Sequence, residues 1–397
     1  MKALIIGPGR IGCGFAGQLL HDSGYDVVFA ARTTIMTDYF NREHAYKVRL
    51  ISTSRSDELL VDGVRAVCTN KNYEVVEEIK SADLIVTAVG VDNIPHIAPL
   101  IAKGLKKRDS PLNIIAFENL ANAGSHLREL VSSHLPKDFL LTEYGFSGAL
   151  VTRVVSHRLW DPAKKDLITF VGDQPTTFVV KRSDLCTPLP KIKGMIATDE
   201  YSALIKRKLF LFNAGHAACA YLGFLKGYHY IHSAIKDPEI REAVLSAMIE
   251  GQHGLRARYG QDIAGDKKDL LKILKRFENA ALNDSIIRVG RDPRRKLGQK
   301  DRLIGAARLA EEAGVQPKNL ARIVASALYF SENDSSSSDL HHEIGILGLH
   351  TMLKRISGLD PNQDFALCIT RFYQKLGEGW QKNNLLLKLN KETWSWR

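Results

Sequence analysis

The chain has 397 residues, enough at roughly 100–200 residues per domain for two domains or three. Hydrophobic residues make up 45% and charged residues 25%, the balance of an ordinary globular protein, which excludes disordered, collagen-like and disulfide-scaffold classes. Lys and Arg number 55 against 44 for Asp and Glu, a formal charge of +11 that attracts anions without choosing among nucleic acid, a membrane surface and phosphorylated metabolites.

Five cysteines (Cys13, Cys68, Cys186, Cys219 and Cys368) are scattered and never in CxxC spacing. They point to free thiols in a reducing cytoplasm and against structural zinc. No uncharged apolar run approaches the roughly 20 residues of a membrane span. The apolar start ALIIG runs into a glycine loop instead of a signal-peptide cleavage site. A cytoplasmic enzyme is the expectation.

Residues 2–6, KALII, read as a buried parallel strand. A glycine cluster, the amphipathic stretch FAGQLLHDSG and a second apolar run, YDVVFAA, follow within the size of one βαβ unit. ADLIVTAVG (82–90) predicts a strand, PHIAPLIAKGL a helix and NIIAFEN (113–119) another strand, with FLLTEYG and DLITFVGD adding strand-like runs. The first part is therefore expected to be an α/β, Rossmann-type doubly wound domain over 1–190. LCTPLPKIKG (185–194) reads as a linker. Beyond it, helical spacing dominates, predicting a mostly α-helical substrate-binding domain over 191–397. SENDSSSSD (331–339) reads as a polar loop between helices.

The first loop, Gly7-Pro8-Gly9-Arg10-Ile11-Gly12, is a GxGxxG match placed after a strand and at the start of a helix. Gly7 allows the tight turn, Gly9 the close approach of a pyrophosphate, and Gly12 close packing of helix on strand. About 20 residues on, a site for NAD(H) places Asp or Glu for the ribose hydroxyls. Here Phe29-Ala30-Ala31-Arg32-Thr33-Thr34 offers no carboxylate. Arg32 with the Thr33 and Thr34 hydroxyls suits a 2′-phosphate, Arg10 adds a second cation, and NADP(H) is expected in preference to NAD(H). A solvated surface arginine would account for Arg32 as well. Thr87-Ala88-Val89-Gly90, at the end of a later strand, is expected near the cofactor's ribose or nicotinamide.

Chemistry is carried by Lys206-Arg207-Lys208-Leu209-Phe210-Leu211-Phe212-Asn213-Ala214-Gly215-His216. On an α-helix Asn213 and His216 share a face, while Lys208 lies about 12 Å along the axis and reaches back with its long arm. These types suit a general base plus a carbonyl clamp: lysine takes an alcohol proton while Asn and His hydrogen-bond the oxygen. Acting near neutrality, Lys208 must fall from about 10.4 by roughly three pH units, which burial and neighbouring cations favour. Spacing alone favours a solvated basic face with His216 packed in the core.

KLFLFNAGHA carries the Lys-x4-Asn-x2-His signature and resembles the polyol-specific long-chain dehydrogenases, most closely their mannitol-1-phosphate 5-dehydrogenase branch. KALIIGPGRIGCGFAG, TAVGVDNIPHIAPLIAKGL, LPKIKGM, KILKRFEN and RVGRDPRRKLGQKDRL resemble that family in the same order, over nearly the whole chain. The resemblance implies a zinc-independent NAD(P) oxidoreductase interconverting fructose 6-phosphate and mannitol 1-phosphate. It makes Lys208 the general base, places Asn213 and His216 at the substrate oxygens, and offers Asn119 as a second clamping amide. It also implies a monomer, with a dimer the alternative. Three positions depart from the family pattern: Ala31 stands where Asp is usual, Thr152 replaces the acid of Val-Asp-Arg, and Lys206 replaces a Glu. All three changes favour an anionic ligand or leave the reaction class intact.

Arg288, Arg291, Arg294, Arg295, Lys296, Lys300 and Arg302 crowd one short stretch broken by Gly290 and Pro293. Guanidinium forks match phosphate oxygens, and Arg288, Arg291, Arg295 and Lys296, which match the family pattern, are the candidate phosphate clamp in an interdomain cleft. Salt bridges with Glu278, Asp284, Asp292 and Asp301 compete for the same cations. The adjacent His341 and His342 point to different faces, so no metal is expected. The partner is a small sugar phosphate, not nucleic acid, for which no helix-turn-helix, zinc-finger or RNP pattern is present, and not a membrane. An unphosphorylated polyol or a sugar acid is the alternative substrate, and a non-catalytic nucleotide-sensing or nucleic-acid-binding protein is the alternative of a different class.

Overall fold

The computed structural model describes residues 1–52, 54–120, 122–161, 166–331 and 335–392. The chain divides into two compact units, Met1–Ile205 and Lys206–Arg397.

Strands of the first unit, in chain order, are β1 (Lys2–Ile6), β2 (Asp26–Ala31), β3 (Tyr46–Ile51), β4 (Ser56–Val61), β5 (Arg65–Cys68), β6 (Leu84–Thr87), β7 (Leu112–Ala116), β8 (Tyr144–Val151), β9 (Val155–Leu159), β10 (Thr169–Asp173), β11 (Phe178–Lys181) and β12 (Met195–Thr198). Eight form one sheet in the order β12-β11-β8-β7-β6-β1-β2-β5, parallel except where β8 meets β11. Alternation explains why β1 is apolar throughout: Ala3 and Ile5 enter the core on one face, Leu4 and Ile6 the core on the other. Helices Asn72–Ser81, Ile94–Leu105 and Ala123–Ser132 cover the latter face. The strand order reverses at β1, with β2 on one side and β6 on the other. Ligands of open α/β sheets bind beyond the carboxyl ends of strands at such a switch point.

Three expectations are corrected here. DLITFVGD forms β10, but in a separate four-stranded sheet of order β4-β3-β10-β9, which covers the glycine-rich helix after β1. In FLLTEYG only Tyr144 and Gly145 are strand, the start of β8, and Leu141–Glu143 before them is a 3-10 turn, because Leu140 is exposed and the buried run starts only at Tyr144. LCTPLPKIKG is not the interdomain linker. The Asn113 side chain exchanges hydrogen bonds with the Cys186 backbone at 3.0 and 2.8 Å, Leu185 and Ile192 are buried, and β12 then pairs with β11. The two compact units meet at 205/206.

The second unit is helical. Its longest fully described helix, Pro238–Tyr259, is started by Asp237, whose carboxylate accepts the Glu239 and Ile240 amides, with Pro238 in the first turn. Ala214–Leu225 is buried nearly all round, the pattern of a central helix. Gly215 lets the Met248 side chain close on it, since a Cβ there would lie 2.6 Å from the sulfur. The serine-rich patch is not a loop where it is described: Ser335 opens a helix running to Leu347, and Ser336 donates to Asp292 at 3.0 Å. The rest of that patch, 332–334, lies outside the described residues. No described helix is long and apolar enough to cross a membrane.

Candidate active site

The glycine loop leaves β1 at the switch point. Gly7 has φ +103°, and a Cβ there would sit 2.7 Å from the Ala88 carbonyl oxygen, so the loop after β1 touches the loop after β6. A Cβ on Gly12 would collide with the Gly7 carbonyl. Gly9 differs: a Cβ on it would meet no protein atom within 4 Å. The fold itself demands glycine at 7 and 12, whereas at 9 it leaves the space over the backbone open. The loop thus fits a dinucleotide's pyrophosphate at the start of the helix.

That helix opens at Gly9, whose carbonyl accepts the Cys13 amide at 2.9 Å, and widens into a π-helical turn over Gly12–Gly17. Two carbonyls of the wide turn are taken from outside: Tyr46 donates to Cys13 O at 3.0 Å and Arg153 to Gly14 O at 2.9 Å. Arg153 also donates to Gln18 at 3.0 Å and lies over the Phe15 ring. It therefore braces the glycine-rich helix. Ile11 packs against the core beneath.

Arg32, Thr33 and Thr34 are exposed at the end of β2, and Ala31 is buried. The Arg32 guanidinium makes no hydrogen bond or ion pair with a described residue, and the Thr33 hydroxyl does not cap the helix that follows it. Arg10, expected as a second cation, donates Nη1 to Ser156 O at 2.8 Å. At the ends of β6 and β7 the buried Glu118 accepts from the Thr87 hydroxyl at 2.8 Å and the Val89 amide at 3.1 Å. Burial pushes its carboxyl up from the usual range. Gly90 follows with φ +88°. β7 ends at Ala116, so Asn119 lies in the bend beyond it, exposed and without a described partner for its amide.

In the second unit the Lys-x4-Asn-x2-His stretch is not the straight α-helix assumed from spacing. Lys208–Asn213 is a second π-helical turn, and α-helical winding resumes at Ala214. A π turn bonds residue i to i+5, so Lys208 and Asn213, five apart, come toward one face that an α-helix would deny them. Burial, then the charges of Arg276 and Arg302, brings the Lys208 ammonium down to about 8. Arg276 is held 4.5 Å over the Phe212 ring. Lys206, expected as a further depressing cation, lies instead over Phe210, and its own value is lowered by burial and by Lys300. His216 Nε2 is 3.0 Å from Asp284 Oδ2, and its ring stacks on Phe277 at 4.9 Å and 12°. Burial lowers its pKa, although Asp284 opposes the shift.

The arginine-rich stretch is largely paired internally. Arg288 donates Nε to Asp284 at 2.7 Å, Arg295 lies 2.6 Å from Asp292 and 3.7 Å from Asp301, and Arg302 is 2.7 Å from Asp301. Lys296 is buried with its ammonium on the Arg291 carbonyl, its pKa brought down to about 7 by burial and by Arg302 and Arg295. Arg291 alone of the four clamp candidates is exposed with no described side-chain partner.

Residues 1–194 match the mannitol dehydrogenase Rossmann domain and residues 201–374 the mannitol dehydrogenase C-terminal domain. The chain belongs to the mannitol dehydrogenase family. It is a polyol dehydrogenase of that family. A D-sorbitol dehydrogenase in substrate-free form is similar in structure, with TM-score 0.77 and 15% identity over 95% of this chain and 93% of that one. Mannitol 2-dehydrogenase from Pseudomonas fluorescens, solved as a ternary complex with NAD and D-mannitol, gives 0.72 and 15% over 98% and 94%. At that identity the likeness is one of fold.

Four residues about these groups had escaped the sequence argument as anything but counter-ions or motif flanks: Glu118, Arg276, Asp284 and Arg302. KILKRFEN was visible as a family motif and NIIAFEN as a strand, but only the fold sets Arg276 beside Phe212 and Glu118 beneath the β6 loop.

Proposed function

We propose that the chain is an NADP(H)-dependent oxidoreductase interconverting a ketose phosphate and a polyol phosphate, with fructose 6-phosphate and mannitol 1-phosphate as the pair. The observation that carries this reading is Lys208, brought to about 8 by burial and two guanidinium charges. An amine there holds or releases a proton near neutrality. Cationic surroundings also suit an anionic substrate.

Gly7, Gly9 and Gly12 cradle the dinucleotide, and Arg32 with Thr33 receives a 2′-phosphate at the end of β2. A bound nicotinamide supplies or accepts the hydride. Neutral Lys208 removes the alcohol proton during oxidation, and its ammonium returns one to the carbonyl oxygen during reduction. Asn213, whose amide has no described partner, donates to that oxygen. Asn119 is a further oxygen-clamping amide by family resemblance. Arg291 and Lys296, with Arg288 and Arg295 if their forks leave the aspartates, hold the phosphate.

A second reading, an unphosphorylated polyol, is favoured by the occupied forks of Arg288 and Arg295 and by the D-mannitol in the mannitol 2-dehydrogenase complex. Reduced-cofactor oxidation, followed with NADPH and NADH against fructose 6-phosphate and fructose, separates the readings. Turnover with NADPH and the phosphate ester supports the proposal, and preference for free fructose or for NADH overturns the corresponding half. Arg32→Ala is expected to raise the KM for NADPH about tenfold and to leave NADH nearly unchanged.

A further inference from the structure

His216 was expected to hydrogen-bond the reacting oxygen, and its surroundings constrain how it can do so. Nε2 faces a carboxylate oxygen of Asp284 at 3.0 Å. Asp284 is buried, and its other oxygen is held by Arg288 at 2.7 Å. Burial raises the Asp284 carboxyl, but His216 and Arg288 more than offset it, so the group is a carboxylate and can only accept. The proton between the two belongs to Nε2. The ring plane is fixed by stacking on Phe277 and by the Phe212 edge at 5.7 Å. Charges facing the ring are Asp284, Arg288 and Arg302, one acid against two guanidinium groups. A second ring proton is disfavoured by burial and by both arginines. A neutral imidazole with its proton on Nε2 has only a lone pair at Nδ1. Nδ1 makes no hydrogen bond with a described residue, and the side chain keeps 14% of its surface exposed.

We propose that Asp284 is a positioning residue that holds His216 in the Nε2–H form, so that His216 meets the substrate at Nδ1 as an acceptor. It then binds a hydroxyl of the polyol or ketose, not the reacting carbonyl oxygen. A carbonyl oxygen has no proton to give, and its lone pairs would oppose that of Nδ1. Since the same site must hold both ketose and alcohol, the Nδ1 partner is a hydroxyl present in both. Asn213 and Lys208, which can donate, are left to the reacting oxygen. Asp284 thereby selects substrates that carry a hydroxyl near the carbonyl, and the substrate half of this inference rests on the function proposed above.

Nitrogen-15 NMR of the full-length protein with labelled histidine tests it, with His216→Phe giving the assignment. At pH about 8 the His216 ring is expected to show a protonated Nε2 and an unprotonated Nδ1, with Nδ1 moving on addition of fructose 6-phosphate or fructose. Asp284→Asn is expected to mix or invert the tautomers and to raise the ketose KM ~10-fold or more, with a smaller loss in kcat. Arg288→Ala, which keeps the carboxylate, retains the tautomer and controls for variants that fail to fold. An Nδ1–H form or an imidazolium in the wild-type protein overturns the proposal. An Nδ1 signal unmoved by either sugar overturns its hydroxyl half. Should neither ketose turn over while the tautomer and its dependence on Asp284 hold, the substrate reading has failed and the positioning role stands.

Discussion

The two units prepare for ligands in opposite ways. In the first, the work is done by space and backbone: glycines at 7 and 12 let loops close on one another, and Gly9 leaves a surface with no side chain over it. In the second, it is done by charge: Lys208, Arg276, Arg302, His216, Asp284 and Arg288 tune one another through burial and pairing. Space of this kind is encoded within a few residues. Charge networks are encoded across many, because Asp284 and His216 meet only once the helices have packed.

The largest expected effect tests the charge-based half directly. Lys208→Ala removes the proton carrier and is expected to reduce turnover about 10²–10⁴-fold in both directions. Cofactor affinity, read by fluorescence titration of NADPH, should hardly change if the first unit binds it unaided. A variant that keeps turnover within a few fold would refute the role of Lys208.

The space-based half is tested by two glycines that look alike in sequence. Gly12→Ala drives a methyl group into the Gly7 carbonyl and should cost about 1–3 kcal/mol of stability, seen as a lowered Tm. Gly9→Ala has room on the protein side and should leave Tm alone while weakening dinucleotide binding about tenfold or more. Equal behaviour of the two in both assays would show that Gly9 is structural.

These contrasts also explain what was legible. The strand–glycine loop–helix unit and the helical second unit follow from hydrophobic periodicity and glycine placement, and both stand in the fold; the reversal of strand order at β1 comes only from the strand pairing. The Lys208, Asn213 and His216 stretch was legible as a motif but not as a shape: nothing local announces that six residues wind as a π turn. The arginine run was legible with its competitors: of the carboxylates set against a phosphate clamp, Asp284, Asp292 and Asp301 take most of the arginines, and Glu278 pairs with Arg241. The four-stranded sheet was hidden, since β3 pairs with β10 across a long stretch of chain.

A smaller effect sharpens the charge network. Arg276→Gln removes one of the two guanidinium charges that disfavour the Lys208 ammonium, so the pKa of Lys208 rises from about 8 toward the usual lysine value. Polyol oxidation needs the neutral amine and rises with pH through that value. Its profile should move alkaline, and at neutral pH the rate should fall roughly three- to tenfold. Ketose reduction needs the ammonium and should persist to higher pH. A loss of rate with an unmoved profile would make Arg276 a packing residue.

The smallest effect concerns the arginines that pair with one another's neighbours. Arg295 is half exposed, and its contacts with Asp292 and Asp301 are surface ion pairs, so Arg295→Ala should change stability by no more than ~1 kcal/mol. Removing it also takes the cation from Asp292, while Asp301 stays on Arg302, and the uncompensated carboxylate opposes anion binding. Arg291 is exposed, and no carboxylate among the described residues holds it. If a phosphate binds here, Arg291→Ala should raise the KM for the phosphate ester more than that for the free sugar. Arg295→Ala should do the same only if the ligand draws its fork from Asp292. Equal KM changes for phosphorylated and free ketose in both variants would take the phosphate away from this stretch and leave its arginines as internal ties.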